Sequence, residues 1–129
     1  MSTIELTETS FEKTVSKEGL VLIDWWAPWC GPCRAFAPIY EKTAEQHQDV
    51  TFAKVNTQDQ PSLGGAFGIK AIPTLMVFRD GVLLMAQPGL VPEEALHDVI
   101  RQAKELDMDE VRKKIDEEMK KQGLAETPA

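Results

Sequence analysis

Residues 20–26, LVLIDWW, form an apolar run broken only by Asp24. A run of this kind suits a strand covered on both faces, as in a sheet lying between helices. Upstream, Thr3–Leu6 alternates like a short edge strand, and Thr9 with Glu12 matches a capping box opening a helix to about Lys17. Gly19 ends that pattern. Downstream, Phe36, Ile39, Tyr40 and Thr43 keep a helical spacing, which predicts a helix from Pro32 to about His47. Pro38 falls inside it, where its ring opposes the carbonyl of Arg34 and predicts a kink.

Val50–Val55 alternates like a second buried strand, and Asp59–Phe67 reads as a short helix weakened by Gly64 and Gly65. Asp80-Gly81 between TLMVFR (Thr74–Arg79) and VLLMAQ (Val82–Gln87) is a strong hairpin signal. Pro92 then opens a helix whose inner face carries Leu96, Val99, Ile100 and Ala103. Strands alternating with helices, closed by a hairpin and a helix, predict an α/β fold. Its mixed sheet has helices on both faces.

The last stretch, MDEVRKKIDEEMKKQGLAETPA, carries Met108, Val111, Ile115 and Met119 at three- and four-residue spacing. That is a narrow apolar stripe on a charged helix, with Asp109 and Glu110 at its start and Lys120 and Lys121 at its end, as the helix dipole favours. Gly123 is the expected stop, and the final residues are expected to fray. A helix this short is marginal alone and must lean on its own domain or on a partner.

A chain of 129 residues fits one domain able to bury a core without staples. A net charge of −7, spread along the chain, repels phosphate backbones and anionic lipid, so nucleic acid and membranes are excluded as expected partners. The polar start MSTIELTETS has neither the basic opening nor the apolar stretch of an export signal, and a cytosolic protein is expected.

The only two cysteines, Cys30 and Cys33, follow the apolar run in DWWAPWCGPCRAFAP. A closed zinc site needs four ligands, and the remaining candidates, His47 and His97, lie far apart in sequence on predicted helix faces. No metal is therefore expected. Thiol chemistry fits better. Cys30 falls where a buried strand gives way to a helix, so its sulfur meets the free N–H groups and positive end of that helix, which favour thiolate. Cys30 is the expected nucleophile. Cys33, one turn on and expected to be less exposed, would resolve the mixed disulfide.

WCGPC at Trp29–Cys33 resembles the active site of the thioredoxin family. Asp24, Trp26 and Ala27 before it, Ala37-Pro38 after it, GIKAIPT (Gly68–Thr74), FRDG (Phe78–Gly81) and Gly89 extend the resemblance over about residues 3 to 106. It implies a thioredoxin domain at 1–106 with a central five-stranded mixed sheet, and a C-terminal helical extension at 107–129. It further implies a cis Ile72-Pro73 bond facing the cysteines, and a flat docking surface of Trp29, Gly31, Pro32, Ile72, Pro73 and Gly89. The backbone of Ile72 would receive an extended substrate segment there. Asp24 would act as general base or proton relay for Cys33 through a water, with Lys54 as its neighbour. Trp25 reads as core packing, and Trp26 equally as core packing or as a functional residue.

The implied activity is protein-disulfide reduction with no bound cofactor beyond the Cys30–Cys33 disulfide. Electrons would come from NADPH through a thioredoxin reductase, and disulfide-containing proteins would be the substrates. Gly31-Pro32 between the cysteines is similar to the reducing members of the family. The pattern departs from the family at Thr57, Ala71 and Pro88, which bears on substrate preference rather than on the reaction. The competing reading is a binding module, or the dedicated partner of one client, with the C-terminal helix as contact. A monomer is expected, with a homodimer through that helix as the alternative.

Overall fold

β2 (Leu20–Trp26) lies in the middle of the sheet because both its faces are apolar. Leu20 and Leu22 join one core, with Phe36, Tyr40, Phe52, Leu96 and Ile100. Val21, Ile23 and Trp25 join the other, with Phe11, Val15, Ala53 and Val55. The computed structural model describes residues 2–123. Its elements in chain order are β1 (Thr3–Glu5), α1 (Phe11–Val15), β2, α2 (Gly31–Gln46), β3 (Thr51–Asn56), α3 (Pro61–Ala66), β4 (Thr74–Arg79), β5 (Val82–Pro88), α4 (Glu93–Glu105) and α5 (Met108–Lys121). The sheet order is β1-β3-β2-β4-β5, with β1, β3 and β2 mutually parallel, β4 antiparallel to β2, and β5 antiparallel to β4. Residues of α2 and α4 pack into the first core and residues of α1 and α3 against the second, so the sheet is sandwiched as the alternation predicts.

The turn chemistry explains the hairpin. Asp80 and Gly81 both have positive φ, 53° and 81°, as a tight two-residue turn requires. Asp80 also accepts the Gly19 N–H at 2.7 Å and donates its own N–H to the Gly19 carbonyl at 3.0 Å, tying the hairpin tip to the start of β2. α2 runs through Pro38 as one helix.

One local expectation fails. The capping box of Thr9 and Glu12 does not form: Ser10 holds the cap position of α1 and makes no side-chain capping bond. Its hydroxyl instead accepts the Thr7 N–H at 2.9 Å, while the Thr9 and Thr7 hydroxyls pair at 2.9 Å. A local turn at Thr7–Ser10 has outcompeted the cap, a competition open to every short hydroxyl side chain.

α5 begins where Asp107 caps it, accepting the N–H groups of Asp109 and Glu110 at 3.1 and 3.3 Å. Only its first turn is packed. Met108 is buried and Val111 half-buried, whereas Ile115 and Met119 are 41% and 40% exposed. Gly123, at φ 72°, follows the helix end; the expected fraying beyond it lies outside the described residues. Arg79 meanwhile closes the end of α4, donating to the carbonyls of Ala103 and Leu106 at 2.7 Å each. Truncation of residues 109–129 is therefore expected to change the unfolding free energy by less than about 1 kcal/mol, since among the described residues it removes the half-buried Val111 and surface pairs such as Arg112–Asp80. Truncation of 107–129 also removes Met108 and costs about 2 kcal/mol. Denaturant unfolding of the two truncations checks both values.

Candidate active site

Cys30 is the N-cap of α2, with extended backbone, and its Sγ accepts the Cys33 N–H at 3.2 Å. Nothing acidic sits in the first turn of α2, so the positive end of the helix acts on this sulfur unopposed. Pro32, in that same turn, contributes no N–H where none would find a helical partner. Arg34 donates to the Pro28 carbonyl at 2.9 Å and pins the loop that delivers the pair. Cys30 and Cys33 are joined as a disulfide, with a Cα–Cα distance of 5.2 Å. Cys30 is 4% exposed and Cys33 3%, so the expected difference in exposure between them is almost absent in the oxidised form. Position distinguishes them instead: Cys30 caps the helix, and Cys33 lies on its buried face with Phe36 and Tyr40.

Ile72-Pro73 is cis, and the Cys30 Sγ lies 3.7 Å from the Ile72 carbonyl oxygen. The Pro73 carbonyl accepts the Gly89 N–H at 2.8 Å, so this loop is braced against the end of β5. Gly89 has a φ of 92°, which a side chain there would resist. Trp29, 67% exposed, stands beside the cysteines. With Thr57, Gly64, Ile69, Lys70 and Ile72 it lines an open cavity of about 280 Å³. Of the residues expected for docking, the structure thus gathers Trp29 and Ile72 in this cavity, with Cys30 against the Ile72 carbonyl and Pro73 and Gly89 bonded behind. Gly31 and Pro32 form the exposed start of α2. Thr57, one of the departures, donates both its N–H (2.8 Å) and its hydroxyl (3.0 Å) to the Trp26 carbonyl, fixing the chain beside the site. Lys70 and Gly64 were not anticipated. Lys70 lies within the GIKAIPT stretch already singled out, two residues before Ile72, whereas nothing in the sequence around Gly64 marks it as part of the site.

Asp24 is fully buried, and neither of its carboxyl oxygens has a hydrogen-bond partner. It lies on the face of β2 that carries Leu20 and Leu22, the face covered by Phe36 and Tyr40 of α2. Burial pushes its carboxyl up to about 7 from 3.8, with Lys54 opposing the rise and Glu5 adding to it. The Lys54 Nζ rests 4.6 Å from the centre of the Trp26 ring. Trp26 in turn packs against the cluster of Ala27, Cys30 and Cys33, whereas Trp25 is wholly core, against Phe11 and Phe67.

His47 and His97, far apart in sequence, meet: His47 Nε2 and His97 Nδ1 are 2.8 Å apart, and Glu93 lies 3.5 Å from His97 Nε2. The packing of α2 against α4 closes a sequence gap that spacing alone could not bridge. Among the described residues, no three His, Cys, Asp or Glu side chains converge in a way that could hold a metal ion.

A cysteine pair at the start of a helix, opposite a cis-proline loop and following a strand that carries a buried carboxyl, defines a thiol–disulfide oxidoreductase whose redox group is its own disulfide. The family model described as Thioredoxin matches residues 2–102. Putative thioredoxin 2 of Streptomyces coelicolor is 56% identical over 122 residues, 95% of this chain and 91% of that protein, a match long enough to include α5. Thioredoxin 1 of Synechococcus elongatus is 44% identical over 70% of this chain and 87% of its own length. Among solved structures, a mutant thioredoxin from Halobacterium salinarum superposes with a TM-score of 0.75 at 35% identity, covering 81% of this chain and 93% of that one. The chain belongs to the thioredoxin family, with the disulfide oxidoreductase activity of that family. A reductase and disulfide-bearing proteins are the partners that the family implies. Among the described residues no helix is long and apolar enough to cross a membrane.

Proposed function

We propose that this protein is a general reductant of protein disulfides, with Cys30 as nucleophile and Cys33 as resolving thiol. The observation that carries the reading is the Cys30 sulfur at the cap of α2, bonded by the Cys33 N–H and set against the Ile72 carbonyl. In the dithiol state the Cys30 thiolate attacks one sulfur of the substrate disulfide, whose other sulfur leaves and takes up a proton. Asp24 then removes the proton of Cys33, and the Cys33 sulfur attacks Cys30, releasing the second substrate thiol. Two electrons and two protons pass to the substrate, and Cys30–Cys33 becomes the disulfide. Lys54 balances the carboxylate charge that Asp24 carries before it takes that proton. Trp29, Gly31, Pro32, Ile72, Pro73 and Gly89 form the surface on which an extended substrate segment docks.

Residues 1–106 are the catalytic domain in this reading and 107–129 its extension. Thioredoxin reductase, supplied by NADPH, recharges the pair in the cytoplasm, and the chain acts as a monomer. The exposed Ile115 and Met119 favour a second role for α5, as the contact for one client or a second copy. The 109–129 truncation then abolishes association while leaving the redox chemistry intact.

Equilibration of Cys30–Cys33 against a defined thiol buffer tests the main reading. The expected potential lies near the roughly −270 mV typical of thioredoxins as a class. A potential tens of millivolts or more higher assigns oxidation or isomerisation instead.

A further inference from the structure

Three charged side chains stand in one row across the sheet. Glu5 of β1 is in register with Lys54 of β3, and Lys54 is in register with Asp24 of β2. Side chains in register on neighbouring strands share a face, here the face of Leu22 and Phe52. Lys54 therefore stands in the row between two acidic residues, one fully buried and one at the exposed sheet edge, with no direct ion pair to either among the described residues. Beyond Asp24 the row ends in Leu75, which is apolar and buried. The contact of Lys54 with the Trp26 ring keeps its head close to the row rather than out in solvent. Glu5 and Trp26 line an open cavity of about 370 Å³ with Asn56 and Asp59, which gives the outer end of the row access to water.

We propose that Glu5 is a positioning residue for the redox reaction: it shares the Lys54 ammonium with Asp24, so that the ammonium is not committed to the buried carboxyl alone. Without Glu5 the ammonium would serve Asp24 alone and stabilise its carboxylate. The carboxyl of Glu5 is itself held above the usual carboxylate range, by partial desolvation that outweighs the Lys54 charge. The other polar groups facing the row are few. Asp59 borders Glu5 from the segment after β3, and the Tyr40 phenol of α2 donates to the Ala53 carbonyl at 2.8 Å. Glu41 of α2 is engaged by Ser2 N and the Thr3 hydroxyl. In the dithiol state Cys33 joins them from α2. The face of α4 toward this core is apolar, with Leu96, Ile100 and Ala103.

The functional weight of Glu5 rests on the reading of Asp24 as the base for Cys33. The experiment is a carbon-13 titration of the Asp24 carboxyl in the oxidised full-length protein, compared among wild type, Glu5→Gln, Lys54→Met and the double variant. Glu5→Gln is expected to lower the Asp24 midpoint by about half a pH unit, and by less than half as much once Lys54 is absent. An Asp24 midpoint unmoved by Glu5→Gln overturns the proposal, and an equal shift with and without Lys54 overturns the sharing. The pH profile for reduction of dithiobisnitrobenzoate, measured on the same variants, is expected to move with the midpoint. If the midpoint moves and the profile does not, Glu5 does tune Asp24, and the assignment of Asp24 as the base falls.

Discussion

Asp24→Asn is expected to raise the unfolding free energy of the oxidised protein by up to about 4 kcal/mol at pH 8, and to leave it nearly unchanged at pH 3.5. The carboxyl is buried without a partner and holds its proton to about pH 7, whereas an unfolded chain releases it near 3.8. Between those values the folded state binds one more proton than the unfolded state, so stability falls as pH rises. Below the unfolded value both states are protonated and nothing is lost. Above about 7 the folded protein carries a buried carboxylate and the full loss is present. Asparagine occupies the same space without the charge and removes the slope. The same substitution slows disulfide turnover, because Cys33 loses its base. Urea unfolding from pH 3.5 to 8, alongside turnover, is the measurement. A variant less stable than wild type at pH 8 shows that the carboxylate is welcome where it sits, and the buried-base reading fails.

The second large effect separates the cysteines. Cys33→Ser is expected to lower turnover by more than about a thousandfold, to the background rate, while a covalent complex with substrate accumulates. Cys30→Ser loses turnover to the same extent and accumulates no complex. The asymmetry follows from the sites: Cys30 faces the Ile72 carbonyl at the cap of α2, and Cys33 lies on the buried side of the helix. Mass spectrometry of each variant after exposure to a disulfide substrate reads the outcome. Complexes formed by Cys30→Ser in place of Cys33→Ser exchange the two roles.

Much of this was legible in local pattern. LVLIDWW announced a central strand because both faces of such a strand must be apolar, and β2 is buried on both. Asp80-Gly81 announced the hairpin because few residue pairs accept positive φ at two successive positions. Spacing alone placed Cys30 at the mouth of a helix. The position of Asp24 within an apolar run was visible, and its lack of any partner was not, since that depends on what α2 lays over it. The capping box at Thr9 misled because two local hydrogen-bond patterns of similar strength compete there, and sequence does not rank them.

What the sequence determined by itself is therefore the order and type of the elements and the redox pair, while the burial of Asp24 was expected only through the family resemblance. The elements and the pair depend on residues within a few positions of one another, through backbone geometry and the burial that apolar periodicity demands. Only the tertiary structure decided the meeting of His47 with His97, the cavity joining Trp29 to Lys70, and the row Glu5–Lys54–Asp24. It also decided that α5 leans on the domain through Met108 alone among its fully buried residues, leaving the end of its stripe in solvent. These depend on strand register and on helix packing across the sheet. Both are set by the sum of many weak contacts between distant segments, and no local stretch of sequence carries that sum.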